Sequence, residues 1–286
     1  MSRGVIVQGL TGRAARIHAK RMKSYGTNIA AGVVPGKAGQ MVDGVPIHNT
    51  VQAAMDATGA LTSMVFLPGQ AAGDGLLEAA EAGIRLAVCV TEGVETHDLL
   101  PALALARICG MTIIGPNTPG ILVPGGPLLG FLPTKFARPG SCAVLSKSGT
   151  LSYEAVWELN QAGLGLSLWL VVGGDSVKGT RFSDVIPYLA QDQRTRAIVV
   201  IGEIGGTDEE DAAIALSETQ LPTVALIAGR RAPPERATGH AGAIIAGSLG
   251  QYVSKADALR ASGATVALRP SELPVALRQM SPSLEL

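Results

Sequence analysis

At 286 residues the chain has the length for about two domains, each with a sizeable core. Lys plus Arg equals Asp plus Glu, 23 of each, so no net field recruits nucleic acid or an anionic membrane. Aromatic residues make up 3%, which argues against a base-stacking surface. Hydrophobic content of 47% with 36 glycines is the mixture expected of Val/Ile/Ala-rich parallel strands joined by tight turns.

Cys89, Cys109 and Cys142 are too few and too scattered for a disulfide framework, and each lies in or beside an apolar segment. They read as small core residues in a reducing, cytoplasmic compartment. His18, His48, His97 and His240 are far apart and pair with no cysteine, so no metal site is expected. The N-terminus goes directly into a strand without a signal peptide. The longest apolar run, Leu164 to Gly174, falls short of the ~20 residues of a spanning helix.

In chain order, Val5 to Leu10 is an apolar run that meets Gly9, then Thr11-Gly12-Arg13-Ala14-Ala15 and a basic helical stretch to about Tyr25. Turn glycines at this spacing let backbone N–H groups approach a phosphate at the helix N-terminus, although many such junctions need glycine only for packing. The next strand, Asn28 to Val34, runs into Pro35-Gly36-Lys37-Ala38-Gly39, and the first acidic residue is Asp43. A dinucleotide site wants an acid about 20 residues after the glycines to hold a ribose hydroxyl. Lys37 instead suits a ribose carrying a phosphate, as in coenzyme A or a phosphorylated dinucleotide; a solvated loop lysine is the plainer alternative.

Alternation continues with a helix at Val51 to Asp56, a strand at Ser63 to Leu67, a helix at Gly73 to Ala82 and a strand at Arg85 to Val90. A helix at Asp98 to Cys109 and a strand at Met111 to Gly115 follow. Repeated strand and helix imply a parallel sheet with helices on both faces. The loops at its carboxyl ends carry Pro68-Gly69-Gln70, Thr91-Glu92-Gly93 and Pro116-Asn117-Thr118-Pro119-Gly120. Glu92 and Asn117 fit a ligand edge or a cap and a turn equally well. From Leu122 to Gly140 the pattern lapses into prolines and glycines, and the domain boundary is placed there, giving domains 1–123 and 124–286.

A second alternating unit starts with a strand at Cys142 to Leu145, the turn Ser146-Lys147-Ser148-Gly149-Thr150 and a helix from Leu151 to Ala162. Ser148 and Gly149 open that helix, where unpaired N–H groups and the positive dipole end favour an anion; Ser148 also fits a plain cap. Further strands are expected at Leu166 to Val172, Ala197 to Glu203, Thr223 to Ala228 and Thr265 to Leu268. The helices between them are Arg181 to Ala190, Glu209 to Glu218 and Ser254 to Ser262.

Two stretches of this half carry the chemistry. Gly239-His240-Ala241-Gly242-Ala243 sets a histidine among small residues, and Val199 to Gly206 ends a strand in Glu203 flanked by glycines. A carboxylate on one ring nitrogen fixes the tautomer and leaves the other nitrogen free to attack. Glu203 and His240 are thus a candidate orienter and nucleophile, against the commoner reading of a capping or core histidine.

Seven strings in order carry a resemblance. They are Val7 to Gly12, Pro35-Gly36-Lys37, Val90-Thr91-Glu92-Gly93, Gly115 to Gly120, Ser146 to Glu154, Ile201 to Gly206 and Gly239 to Ile244. On them the chain resembles, over nearly its whole length, the alpha subunit of succinate–CoA ligase and its close acyl-CoA synthetase relatives. The resemblance implies a Rossmann-like CoA-binding domain followed by a flavodoxin-like ligase domain. It implies that His240 is phosphorylated, that Glu203 holds it and that the helix start at Ser148 and Gly149 receives its phosphate. Thr11, Gly12, Arg13, Ala14, Lys37, Val90, Thr91 and Glu92 are implied CoA contacts, with Tyr153 near the carboxylic acid substrate. No Walker-type loop is present, so a nucleotide-binding beta subunit is implied to bring ATP or GTP with Mg.

The chain departs from the family pattern at Pro68-Gly69-Gln70, Pro133-Thr134-Lys135, Ser176 and Pro234-Glu235-Arg236. These changes fit a paralogue acting on another acid, such as malate. The competing functions are a noncatalytic CoA-binding module and an NADP-dependent oxidoreductase. Retention of both His240 and Glu203 favours the ligase over the first, and the absence of a hydride-transfer motif in the second half disfavours the second.

Overall fold

The computed structural model describes residues 4–232 and 250–281. The chain divides into two compact units: Met1–Gly120, Gly126–Leu132 and Val177–Gly179 form one, and Ile121–Gly125, Pro133–Ser176 and Thr180–Leu286 the other.

The first unit contains β1 (Val5–Gln8), α1 (Arg13–Tyr25), β2 (Ile29–Val33), β3 (Met41–Val42), β4 (Val45–His48), α2 (Val51–Thr58) and β5 (Thr62–Val65). It continues through α3 (Gly69–Ala82), β6 (Leu86–Cys89), α4 (Thr96–Cys109) and β7 (Thr112–Ile114). Strand order is β3-β4-β2-β1-β5-β6-β7, parallel except for the β3–β4 pair. The sheet grows from β1 toward β2 on one side and toward β5 on the other, so the chain reverses direction beside β1. Ligands of open parallel sheets bind at such a switch point, outside the carboxyl ends of the strands. Helices on both faces bury the central strands: Ile6 on β1, Leu76 on α3 and Ile84 just after α3 are fully buried, each worth ~1.5–3 kcal/mol relative to exposure.

Two features here were not anticipated. The β3–β4 hairpin turns on Asp43 and Gly44, with Val42 opposite Val45 and φ of 50° and 77° at the turn residues. Helix α3 begins at Gly69, four residues before the expected Gly73, and it passes the neighbouring loop so closely that residue 69 must be glycine. A Cβ there would lie 2.3 Å from the carbonyl oxygen of Gly93.

The stretch expected to be irregular holds two short strands, β8 (Gly120–Leu122) and β9 (Leu128–Gly130). Leu128 exchanges backbone bonds with the Thr27 hydroxyl at 2.8 and 3.0 Å, so residues 126–132 pack behind α1 within the first unit.

The second unit holds β10 (Pro139–Ser146), α5 (Gly149–Gln161), β11 (Leu166–Val171), α6 (Phe182–Gln191), β12 (Ala197–Glu203) and α7 (Asp208–Ser217). β13 (Thr223–Ala228), α8 (Tyr252–Ala261), β14 (Thr265–Ala267) and α9 (Leu273–Met280) complete it. Its strands run β14-β13-β12-β10-β11-β8, parallel except for β8 against β11. Strand β10 starts three residues before the expected Cys142, and helix α9 was not foreseen. Gly140 belongs to the strand because it lies back to back with Gly165, where a Cβ would sit 2.3 Å from the opposing Cα. The architecture is α/β in both units, with helices alternating with strands as expected.

Cys89 and Cys142 are fully buried in the strands, and burial pushes the Cys142 thiol up to about 12. Both are core residues, while Cys109 at the end of α4 is half-buried. Among the described residues no group of His, Cys, Asp and Glu is arranged to hold a metal. No described helix is long and apolar enough to cross a membrane.

Candidate functional site

In the first unit the candidate residues fall on loops at one edge of the sheet. Thr11 and Gly12 follow β1, and Gly12 is the N-cap of α1 in extended geometry without a side-chain cap bond. The first N–H groups of α1, at Arg13 and Ala14, are therefore not taken by a capping side chain and face the edge with the helix dipole's positive end. Helix α3 likewise begins without a side-chain cap bond, at Pro68. Gly9, with φ of 80°, lets the chain turn where a Cβ would sit 2.7 Å from the Phe66 carbonyl, which brings the loop after β1 against the loop after β5.

Lys37, on the exposed loop after β2, donates to the Thr11 hydroxyl at 3.4 Å. Two predicted contacts, 26 residues apart in sequence, thus meet in space. Asp43 is engaged elsewhere: it lies 3.1 Å from the Arg16 guanidinium and 3.3 Å from the Lys20 ammonium. The hydrogen bond from Arg16 holds the Asp43 carboxyl below its ordinary range. Val90, Thr91 and Glu92 follow β6. The Thr91 hydroxyl donates to the Leu67 carbonyl at 2.6 Å and its carbonyl accepts from Asn117 N–H at 2.9 Å, tying three successive strand ends together. Glu92 is exposed.

In the second unit the site is built on the carboxyl ends of β10, β12 and β13. Ser146 pairs with Ile201 across β10 and β12, so Ser148 and Glu203 each lie two residues beyond a paired position on adjacent strands. The Ser148 hydroxyl accepts from Leu151 N–H at 3.2 Å, which makes it the N-cap of α5, with Gly149 as the first helical residue. The plain capping role is therefore real, and it also fixes the direction in which the helix start points.

Glu203 ends β12 at 8% exposure, its position set by the backbone. Its N–H donates to Glu209 Oε1 at 3.0 Å, and Gly205 N–H donates to the Gly250 carbonyl at 2.7 Å. His240 lies outside the described residues. Tyr153, on α5, is half-buried with its ring edge-on to Trp169 at 5.6 Å. Burial raises its phenol above the ordinary 10.0, so the hydroxyl stays protonated.

The sequence reading missed the charged floor beneath this edge. Lys147 turns inward at 2% exposure, 3.3 Å from Asp208 and 3.5 Å from Glu209, and donates to the Gly205 carbonyl at 3.3 Å. Burial opposes its charge, but attraction to Glu209, Asp208 and Glu203 outweighs that and raises its pKa above the ordinary 10.5. Lys255, fully buried on α8, pairs with Glu209, which is also fully buried. The signal was present in the four consecutive acids Asp208 to Asp211 at the start of α7, a charge density that the sequence reading passed over.

A family model described as CoA binding domain matches residues 2–93, and one described as CoA-ligase matches residues 145–265. The chain is 45% identical to subunit alpha 2 of the ADP-forming succinate–CoA ligase of Archaeoglobus fulgidus, over 94% of each chain. It is 43% identical to the alpha subunit of that ligase from Staphylococcus aureus, over 94% of this chain and 89% of the relative. Among solved structures, a Methanosaeta concilii ATP citrate lyase in complex with (3S)-citryl-CoA superposes with a TM-score of 0.88 at 25% identity. That match covers 99% of this chain, which spans 50% of the lyase chain.

Proposed function

The chain belongs to the succinate–CoA ligase alpha-subunit family, and from that premise we propose a phosphoryl relay through His240. Residues 1–123 bind CoA and residues 124–286 form the ligase domain. A nucleotide-binding beta subunit supplies ATP or GTP with Mg in the cytoplasm, and the terminal phosphoryl passes to an imidazole nitrogen of His240. The Glu203 carboxylate accepts the N–H on the other side of the ring and stabilises the cationic form. The helix start at Ser148 and Gly149 faces the phosphoryl oxygens with backbone N–H groups. A small dicarboxylic acid positioned near Tyr153 then takes the phosphoryl, and the CoA thiol displaces phosphate to form the thioester. Charge stabilisation and positioning carry most of such a transfer.

The observation that supports this most is the placement of Glu203 and Ser148 on the ends of adjacent strands in matching register. For CoA, the residues present fit: Lys37 beside Thr11 offers a cation and a hydroxyl to a phosphate. The starts of α1 and α3, uncapped by side chains, offer N–H groups to others. Val90, Thr91 and Glu92 would flank the pantetheine arm.

Thioester formation tests the function. With its beta subunit, a nucleotide and CoA, the chain should convert succinate or a related dicarboxylate such as malate, and His240→Asn should abolish turnover. CoA binding without thioester from any acid in a dicarboxylate panel would instead favour a noncatalytic acyl-CoA-binding module.

A further inference from the structure

Beneath Glu203 the backbone of residues 203–206 is held by charged side chains at three successive points. Glu203 N–H donates to Glu209 Oε1 at 3.0 Å. The Gly205 carbonyl accepts from Lys147 at 3.3 Å. The Gly206 carbonyl accepts from Lys255 at 2.9 Å. Glu209 stands at the centre of the set, with one carboxylate oxygen on Glu203 N–H and 3.5 Å from Lys147, and the other on the Lys255 ammonium. Glu210 adds a second carboxylate to Lys255 at 3.1 Å, and its other oxygen accepts from Gly250 N–H at 3.3 Å and the Ser254 hydroxyl at 2.9 Å.

Stability alone does not account for this arrangement. A buried ion pair is often matched or exceeded in stability by apolar residues of similar volume. Backbone bonds also reach this segment, from Ile204 N–H to the Ala228 carbonyl at 3.1 Å and from Gly205 N–H to the Gly250 carbonyl at 2.7 Å, but Gly205 and Gly206 have φ of 90° and 61° and no side chains to pack. Gly202 completes the cradle, since a Cβ there would fall 2.4 Å from Glu209 Oε1; the carboxylate lies flat against the strand.

We propose that Glu209 and Lys255 are positioning residues, which fix the backbone of Glu203 so that its carboxylate meets the histidine in one orientation. The inference rests on the phosphoryl-relay reading above. Its mechanism is the Glu209 oxygen that holds Glu203 N–H, with Lys255 keeping that carboxylate in place.

Two paired substitutions separate this from a structural role. Lys255→Met with Glu209→Gln removes both charges and keeps an oxygen at the Glu203 N–H; Lys255→Met with Glu209→Leu removes the oxygen as well. In the complex with the beta subunit, both variants should melt within a few degrees of one another and bind CoA as the unaltered chain does. Misplacing a catalytic group by about 1 Å costs ~100-fold. On that scale the Leu variant should phosphorylate His240 ~10–100-fold more slowly than the Gln variant, with KM for the nucleotide unchanged. If the Leu variant does not fold, Glu209→Met in its place preserves more of the volume and should show the same loss. Equal rates for the oxygen-bearing and oxygen-lacking variants would overturn the proposal while leaving the relay intact. An unaltered complex that never labels His240 would remove the relay, and this inference with it.

Discussion

Lys37 and Lys147 show how differently one residue type serves the two units. Lys37 is exposed and reaches Thr11, whereas Lys147 is buried on three carboxylates and raised in pKa by them against the opposing effect of burial. If Lys37 recognises the phosphate on the CoA ribose, it contributes a charge-assisted hydrogen bond of ~1.5–3 kcal/mol. Lys37→Met should then raise KM for CoA roughly 10–100-fold and leave KM for dephospho-CoA nearly unchanged; an equal rise for both, in steady-state assays, would show that Lys37 does not read that phosphate. The expectation for Lys37 came from a cation standing where an acid would hold a bare ribose; that it meets Thr11 in space was not legible. Asp43 was legible only as the first acid downstream; its capture by Arg16 and Lys20 depends on a hairpin folding back over α1. Lys147 was hidden for a physical reason: it stands in the turn just past β10, where no strand or helix period assigns a side chain to the inside or the outside.

At the scale of elements, the start of α5 does two jobs, closing its own N-terminus and aiming N–H groups at the candidate phosphate position. Ser148→Ala should lose about 1 kcal/mol of stability, within the ~0.5–2 kcal/mol range of such caps. It should also slow His240 phosphorylation. Urea unfolding checks the first effect, and an unchanged midpoint would mean that the 3.2 Å bond to Leu151 N–H does not persist in solution. Long apolar runs bounded by polar residues were readable from the sequence, down to residue limits for β12 and β13. Short ones were not. The β3–β4 hairpin carries an Asp-Gly turn between strands that pair over only two residues each, too brief for alternation to register, although Asp-Gly is itself a hairpin signal. Strands β8 and β9 hide among prolines and glycines that look like linker. Two of those glycines, Gly120 and Gly130, are required by close packing: a Cβ on Gly130 would lie 2.1 Å from the Pro119 carbonyl.

For the whole molecule, each unit repeats one plan: a parallel sheet whose carboxyl ends gather the polar loops, with glycines where backbones meet. In the first unit that edge brings Thr11 to Lys37. In the second it brings Ser148 beside Glu203 over a floor of buried ions. The relay depends on His240 joining the second edge. Labelling decides the matter most directly. When the complex with its beta subunit is given γ-labelled nucleotide, the account predicts acid-labile, base-stable phosphate on His240, absent from His240→Asn and sharply reduced in Glu203→Gln. Label of the same chemistry and amount on the His240→Asn chain would contradict it.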